Sequence, residues 1–163
     1  MAKITEPHAS LREIVASPRF VYNVKFLCGI QKRPFENDCS AILARGIYST
    51  EINILNFGFR KIVIAKAFIP LVVKNEAIAR EPKFSQLVNV ERVELPPVSG
   101  TMDDCCKLAE MIKVKDEQLK IGYLEIISPV ELEVVAVYTV TDLEQNNPDI
   151  NVVQIQGKRL ALR

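Results

Sequence analysis

Residues 119–142, LKIGYLEIISPVELEVVAVYTVTD, decide how this chain folds. The stretch reads as two strands that meet at Ser128-Pro129. In the second, Leu132, Val134, Ala136, Tyr138 and Val140 share one parity, and Glu131 and Glu133 lead the other. Side chains alternate between the faces of a strand, so this spacing sends an apolar row into a core. No group in the stretch has an evident catalytic use. It is scaffold, and the rest of the chain is expected to supply its partners.

Working outward, the same period recurs. Phe20, Tyr22, Val24, Phe26, Cys28 and Ile30 share a parity within 19–31, with Asn23, Lys25, Gly29 and Gln31 on the other. Across 46–56, Tyr48, Thr50, Ile52 and Ile54 alternate with Ser49, Glu51 and Asn53. Asn56-Phe57-Gly58 is a turn signal, because glycine takes positive φ freely. With 60–68 as the return strand, 46–68 is expected to be a hairpin. Pro70 interrupts the apolar run that follows. Lacking an N–H, it marks an edge, a bulge or a crossover. Residues 74–86 read as a polar connection with one helical turn at 75–79. Strands at 87–95 and 150–162 complete the set.

One helix is expected, opening at Thr101-Met102-Asp103-Asp104. Thr101 can cap it, and two carboxylates in the first turn suit the positive end of the helix dipole. Cys105, Leu108, Ala109 and Ile112 form its apolar stripe. Strands do not alternate with long helices, which excludes a doubly wound parallel fold. The expected class is mainly β: a single antiparallel β-sandwich of about seven strands, with one α-helix between strands, over residues 18–163. Residues 1–17 form an N-terminal arm. There Ser10-Leu11-Arg12-Glu13 has the form of a capping box that can open a short helix through Ala16, and Ser17-Pro18 ends it.

The bulk numbers fit one domain. A chain of 163 residues buries roughly 68–70% of its unfolded surface and can hold a core without staples. A net charge of +1 argues against the basic patch that drives nucleic-acid binding. No run approaches the ~20 apolar residues of a membrane span. The first residues carry Glu6 and Glu13 and have no signal-like apolar stretch, so the expected location is cytoplasmic.

Catalytic sets are missing from the sequence. His8 is the only histidine, and an arm is a poor place for a general base, so neither a Ser-His-Asp nor a Cys-His unit is expected. The glycine-rich nucleotide cradles do not occur. Asp103, Asp104 and Glu110 invite an acid–base or magnesium reading, but helix-start electrostatics accounts for the aspartates. No catalytic residue and no cofactor is therefore assigned. Four cysteines remain: Cys28, Cys39, Cys105 and Cys106. The spacing that aims two thiolates at one zinc ion is absent. Three readings stay open: packing, with Cys28 and Cys105 in the core and Cys106 half-covered; a disulfide within or between chains; and a metal site. Glu131 and Glu133 beside Pro129 are either devices against edge pairing or part of an ionic interface.

The runs GIYSTEINILN (46–56), VELPPVSGTMDDCCKLAEMI (93–112) and GYLEIISPVELEVVAVYT (122–139) are similar to an uncharacterised group of small bacterial proteins. That resemblance covers residues 20–142 and implies no activity. More loosely, the order of elements resembles the sensory rhodopsin transducer family. The shared features are a strand ending in Asn56, a strand running into the proline turn at 96, and the strand pattern at 128–135. That resemblance implies a β-sandwich that assembles as tetramers, and it carries over no functional residue.

The resulting expectation is a non-catalytic protein that acts by association, as a homo-oligomer or filament or with a protein partner. Its contact elements would be the arm 1–9, the loop 32–45 and the last strand. The alternative is a cysteine-dependent metal-binding or redox protein.

Overall fold

A computed structural model describes residues 14–32, 42–144 and 147–161. The arm 1–9, its capping box, His8, Cys39 and most of the loop 32–45 lie outside the described residues. The protein is mainly β and antiparallel. The strands are β1 (Phe20–Gln31), β2 (Gly46–Asn56), β3 (Ile62–Val73), β4 (Glu76–Ala77), β5 (Val88–Leu95), β6 (Ser99–Asp103), β7 (Lys120–Ser128), β8 (Glu133–Thr141), β9 (Pro148–Gln154) and β10 (Lys158–Arg159). A helix, α1 (Cys105–Met111), lies between β6 and β7. The seven expected strands are present in outline. The three additional ones, β4, β6 and β10, are too short to leave an alternation pattern.

The hydrogen-bonded order is β4-β3-β7-β1-β2-β8-β9, with β5 on β3, β6 on β2 and β10 on β1. The strand that joins the two halves is β1. Its residues 20–28 pair with β7, and Gly29–Gln31 pair with β2. The change of partner falls at Gly29, whose φ of +110° is open to glycine and strained for any other residue. A Cβ there would lie 2.4 Å from the Gln118 carbonyl oxygen. Where β1 has left β2, side chains take over the ladder. The Thr50 hydroxyl accepts from the Leu27 N–H and donates to the Leu27 carbonyl, each at 2.9 Å. Tyr138 donates to the Lys25 carbonyl at 2.7 Å. These bonds pair backbone groups of Lys25 and Leu27 across the divergence.

Both halves share one core. Tyr22, Val24, Phe26, Ile64, Phe68, Leu124 and Ile126 meet Ile52, Ile54, Leu132, Val134 and Ala136, and Leu108 and Met111 of α1 close the cluster. The Phe26 and Phe68 rings lie 4.2 Å apart at their centres. The predicted inward rows of β1, β2 and β8 are buried at Tyr22 to Cys28, at Thr50 to Ile54 and at Val134 and Ala136, and partly buried at their ends, while Gln31, expected on the other parity, is buried.

Several local expectations are corrected. Residues 46–68 do not form a hairpin: β2 pairs with β1, β6 and β8, and β3 with β4, β5 and β7. The reason is visible in β3, where Ile64 to Phe68 are all buried. A strand covered on both faces belongs inside a sheet, and an alternating strand such as β2 does not supply that cover. The two strands of 119–142 likewise do not pair with each other. The chain crosses between halves at 129–132, where the Tyr22 hydroxyl accepts from the Leu132 N–H at 2.7 Å. Of the three readings of Pro70, the bulge is the one realised, in a register shift against β7. Residues 75–79 hold no helical turn. Lys74 and Asn75 both take positive φ and close a tight hairpin from β3 to β4. Thr101 is a strand residue. Asp104 is the N-cap of α1, accepting from the Lys107 N–H at 2.9 Å.

Candidate functional site

Lysine 66 occupies the inward parity of β3, in line with Ile62, Ile64 and Phe68. Its ammonium is buried and donates to both carboxylate oxygens of Asp103, at 2.6 and 2.8 Å. Asp103 ends β6, opposite Ile52 of β2, so the pair ties one half of the fold to the other. Glu91 Oε2 lies 3.9 Å from Lys66 Nζ, and Glu91 Oε1 accepts from Lys107 Nζ at 2.9 Å. The Glu91 carboxylate raises the pKa of Lys107 above its ordinary value. Helix-start electrostatics therefore explains Asp104 but not Asp103, which is a correction to the sequence reading. Glu110 is exposed on α1, and its charge also raises the pKa of Lys107. The centre of the arrangement, Lys66 with Asp103, is shut off from solvent, and Glu91 and Lys107 are partly exposed at its rim. It is an internal clamp.

Cysteines 28 and 105 form a disulfide, with 5.6 Å between their α-carbons. Of the three readings left open, the disulfide is the one present. The packing reading holds in part: Cys28 is buried in the core, and Cys105, at the start of α1, packs against that core over the inward face of β1. Cys106 is free and exposed, rather than half-covered. Its side chain points about 100° around the helix from that of Cys105. All three line a cavity of about 440 Å³ with Ala109, Lys115 and Lys120. With two sulfurs in the bridge, neither serves as a thiolate ligand. Among the described residues no group of three His, Cys, Asp or Glu side chains is placed to hold a metal ion.

The rim of that cavity holds a second buried lysine. Lys120 Nζ donates to the backbone oxygen of Asp116, to Asp116 Oδ1 at 2.8 Å and to the Gln118 carbonyl at 2.8 Å. The hydrogen bond from Lys120 holds the Asp116 carboxyl below its usual 3.8. A carboxyl with a depressed folded pKa contributes stability above its unfolded pKa and loses it as pH falls through the folded value. Asp116→Asn should therefore lower stability by about 1 kcal/mol at neutral pH. The difference from wild type should vanish in acid, once pH falls below the depressed folded value. Urea midpoints against pH check this, and a difference that persists in strong acid would contradict it.

The remaining candidate is a surface. In the second half of the fold β9 pairs with β8 alone, through Val135 to Thr141. Its other side carries no strand among the described residues. Ile150 and Val152 are 61% and 62% exposed on the outer face of this ladder. They stand opposite Thr139 and Val137 of β8, which stand opposite Ser49 and Glu51 of β2. Met102 of β6 is exposed on the same face, opposite Asn53. Glu131 and Glu133 are both exposed, near the start of β8. The sequence reading expected the last strand, which it named as a contact element, at 150–162. It occupies 148–154, and Lys158–Arg159 return to pair with β1. Lys66 was missed, although a lysine on the inward parity of an apolar strand is a legible signal.

These features define a mainly β, antiparallel protein with an open edge and a bridged core. Among the described residues no helix is long and apolar enough to cross a membrane. No family model and no curated protein matches the chain. A solved crystal structure, that of Thermotoga maritima 1070, is similar over 86% of this chain and 94% of its own, at 13% identity and a TM-score of 0.45.

Proposed function

We propose that this is a non-catalytic protein that works by association with a second copy of itself through the free side of β9. The observation that carries the reading is the unpaired edge. A free edge strand presents a row of N–H and C=O groups, and natural proteins blunt such rows with charge, proline or bulges. Pro148 and Asp149 blunt only the start of β9; Ile150 to Gln154 carry no charge. Two β9 strands related by a two-fold axis pair antiparallel and extend the ladder by main-chain hydrogen bonds, with Ile150 and Val152 packing across the seam. A net charge of +1 leaves little self-repulsion to oppose contact between copies.

Light scattering over a concentration series tests the reading. The expected result is a discrete oligomer whose mass falls to the 18.4 kDa of one chain in Val152→Lys, because a lysine on the seam must be desolvated to pair. A wild-type mass that stays at one chain throughout would overturn it.

The Cys28–Cys105 bridge favours a second reading, a thiol-dependent protein of the redox kind. Such bridges persist outside a reducing cytosol, which sets this bond against the expected cytoplasmic location. The same series with reductant separates the two readings. Assembly through β9 survives reduction, and assembly through a Cys106 bridge between chains does not.

A further inference from the structure

The end of the fold opposite α1 carries a tip unlike the rest of the surface. The β2–β3 connection, 57–61, and the β5–β6 turn, 96–98, lie side by side, joined by a hydrogen bond from the Val98 N–H to the Gly58 carbonyl at 3.1 Å. Three large apolar side chains stand out from them: Phe59 is 90% exposed, Val98 63% and Phe57 53%. Behind them come Arg60 and Lys61, both exposed. Arg60 makes no ion pair among the described residues, and Lys61 reaches Glu94 at 3.3 Å. No acidic residue occurs in 55–62 or in 95–100.

The tip is braced rather than loose. Asn56 is buried at its base, where its amide donates to the carbonyls of Arg60 at 2.9 Å and Pro96 at 2.8 Å. Its oxygen accepts from the Gly58 N–H at 3.1 Å. One side chain thus fixes both loops, and the phenylalanines cannot fold back onto the core without breaking these bonds. Val98 sharpens the point. Its φ is +48°, a left-handed conformation that a β-branched residue adopts only at a cost. Asparagine or glycine would sit there with less strain. The chain instead spends conformational free energy to hold an apolar side chain in water at the apex.

We infer that Phe57, Phe59 and Val98 form a peripheral membrane-binding tip, in which the apolar side chains enter the interfacial layer of a bilayer and Arg60 and Lys61 meet anionic headgroups. Aromatic rings favour that layer, and cations beside an apolar insertion add attraction to acidic lipid. The charge of the tip selects this occupant over a protein surface, since Arg60, which makes no ion pair among the described residues, and Lys61, paired with Glu94, leave a net positive rim that complements an anionic sheet. The inference stands on residues separate from β9.

Sedimentation of the full chain with phosphatidylcholine vesicles, with and without phosphatidylserine, tests it. The wild type should pellet with the anionic vesicles and much less with the neutral ones. Phe57→Ser with Phe59→Ser should lower the partition coefficient roughly tenfold or more. Arg60→Ser should lower it roughly fivefold, and raised salt should mimic that change. Val98→Asn should weaken vesicle binding while leaving Tm equal or higher, a pairing of signs that a purely structural valine does not give. Circular dichroism confirms that each variant is folded, and Phe59→Trp adds a reporter whose emission shifts to the blue on anionic vesicles. Absence of pelleting with either vesicle would overturn the inference, as would equal binding to both or binding unchanged in the double serine variant. An oligomer that dissociates in the double serine variant, without vesicle binding, would overturn it and assign the tip to a protein interface.

Discussion

Asp103→Leu should destabilise the protein by about 3–5 kcal/mol, the cost of leaving a buried charge without its partner. The structural reason is that Lys66 Nζ has no access to water and holds both oxygens of Asp103. Once the aspartate is gone, the nearest anion is Glu91 at 3.9 Å, already engaged by Lys107. Lys66→Met should cost a similar amount, because Asp103 is equally buried and its carboxylate would lose the ammonium. Joining the two changes should restore most of the loss. Two apolar side chains of similar volume carry no desolvation penalty, and such replacements are often neutral or stabilising by about 1–4 kcal/mol. Urea midpoints of the two single variants and the double variant give the coupling directly. If Asp103→Leu unfolds within 1 kcal/mol of wild type, the pair is not a clamp.

Breaking the Cys28–Cys105 bridge comes next in size. It spans 77 residues of sequence. A cross-link closing a loop of that length removes unfolded-state entropy worth about 4 kcal/mol at 25 °C in the chain-entropy model. Cys28→Ala combined with Cys105→Ala should lower the unfolding free energy by that order, and reductant should lower wild type by the same amount while leaving the double variant unmoved. Cys106→Ser should change nothing, because its thiol is free and exposed. A wild type indifferent to reductant would show that the bridge is absent in solution. The Cys28–Cys105 bridge and the Lys66–Asp103 pair fasten the same region, where α1 and β6 cover the inward faces of β1 and β3. A variant that lacks both the bridge and the ion pair therefore need not lose the sum of the two effects, since contacts that share neighbours do not add.

How much of this was legible in the sequence follows from the range of each interaction. The alternation of Phe20, Tyr22, Val24, Phe26 and Cys28, or of Thr50, Ile52 and Ile54, is local. It needs only the geometry of one strand, and all of these residues but the partly buried Phe20 are buried as expected. The class, mainly β and antiparallel with one helix, rests on such patterns, and so do the ends of β2 and the start of β1. Short elements escaped for the same reason in reverse. Ser99–Asp103 holds too few residues to show a period, and its terminal aspartate resembles a helix start when read alone.

What the tertiary structure decided is which strands meet. Proximity in sequence made 46–68 look like a hairpin and 119–142 like a pair. Burial on both faces of β3 and β7 instead drew these two strands together, leaving β2 and β8 to pair with one another. The partner of Cys28, the partner of Lys66, the open side of β9 and the bracing of the 57–61 loop by Asn56 all follow from that choice. The partners of Cys28 and Lys66, and the reach of Asn56 to Pro96, join residues far apart in the chain, and no local propensity encodes such a contact. It is set by the requirement that every apolar face be covered and every buried polar group be paired, and only the whole fold satisfies that requirement.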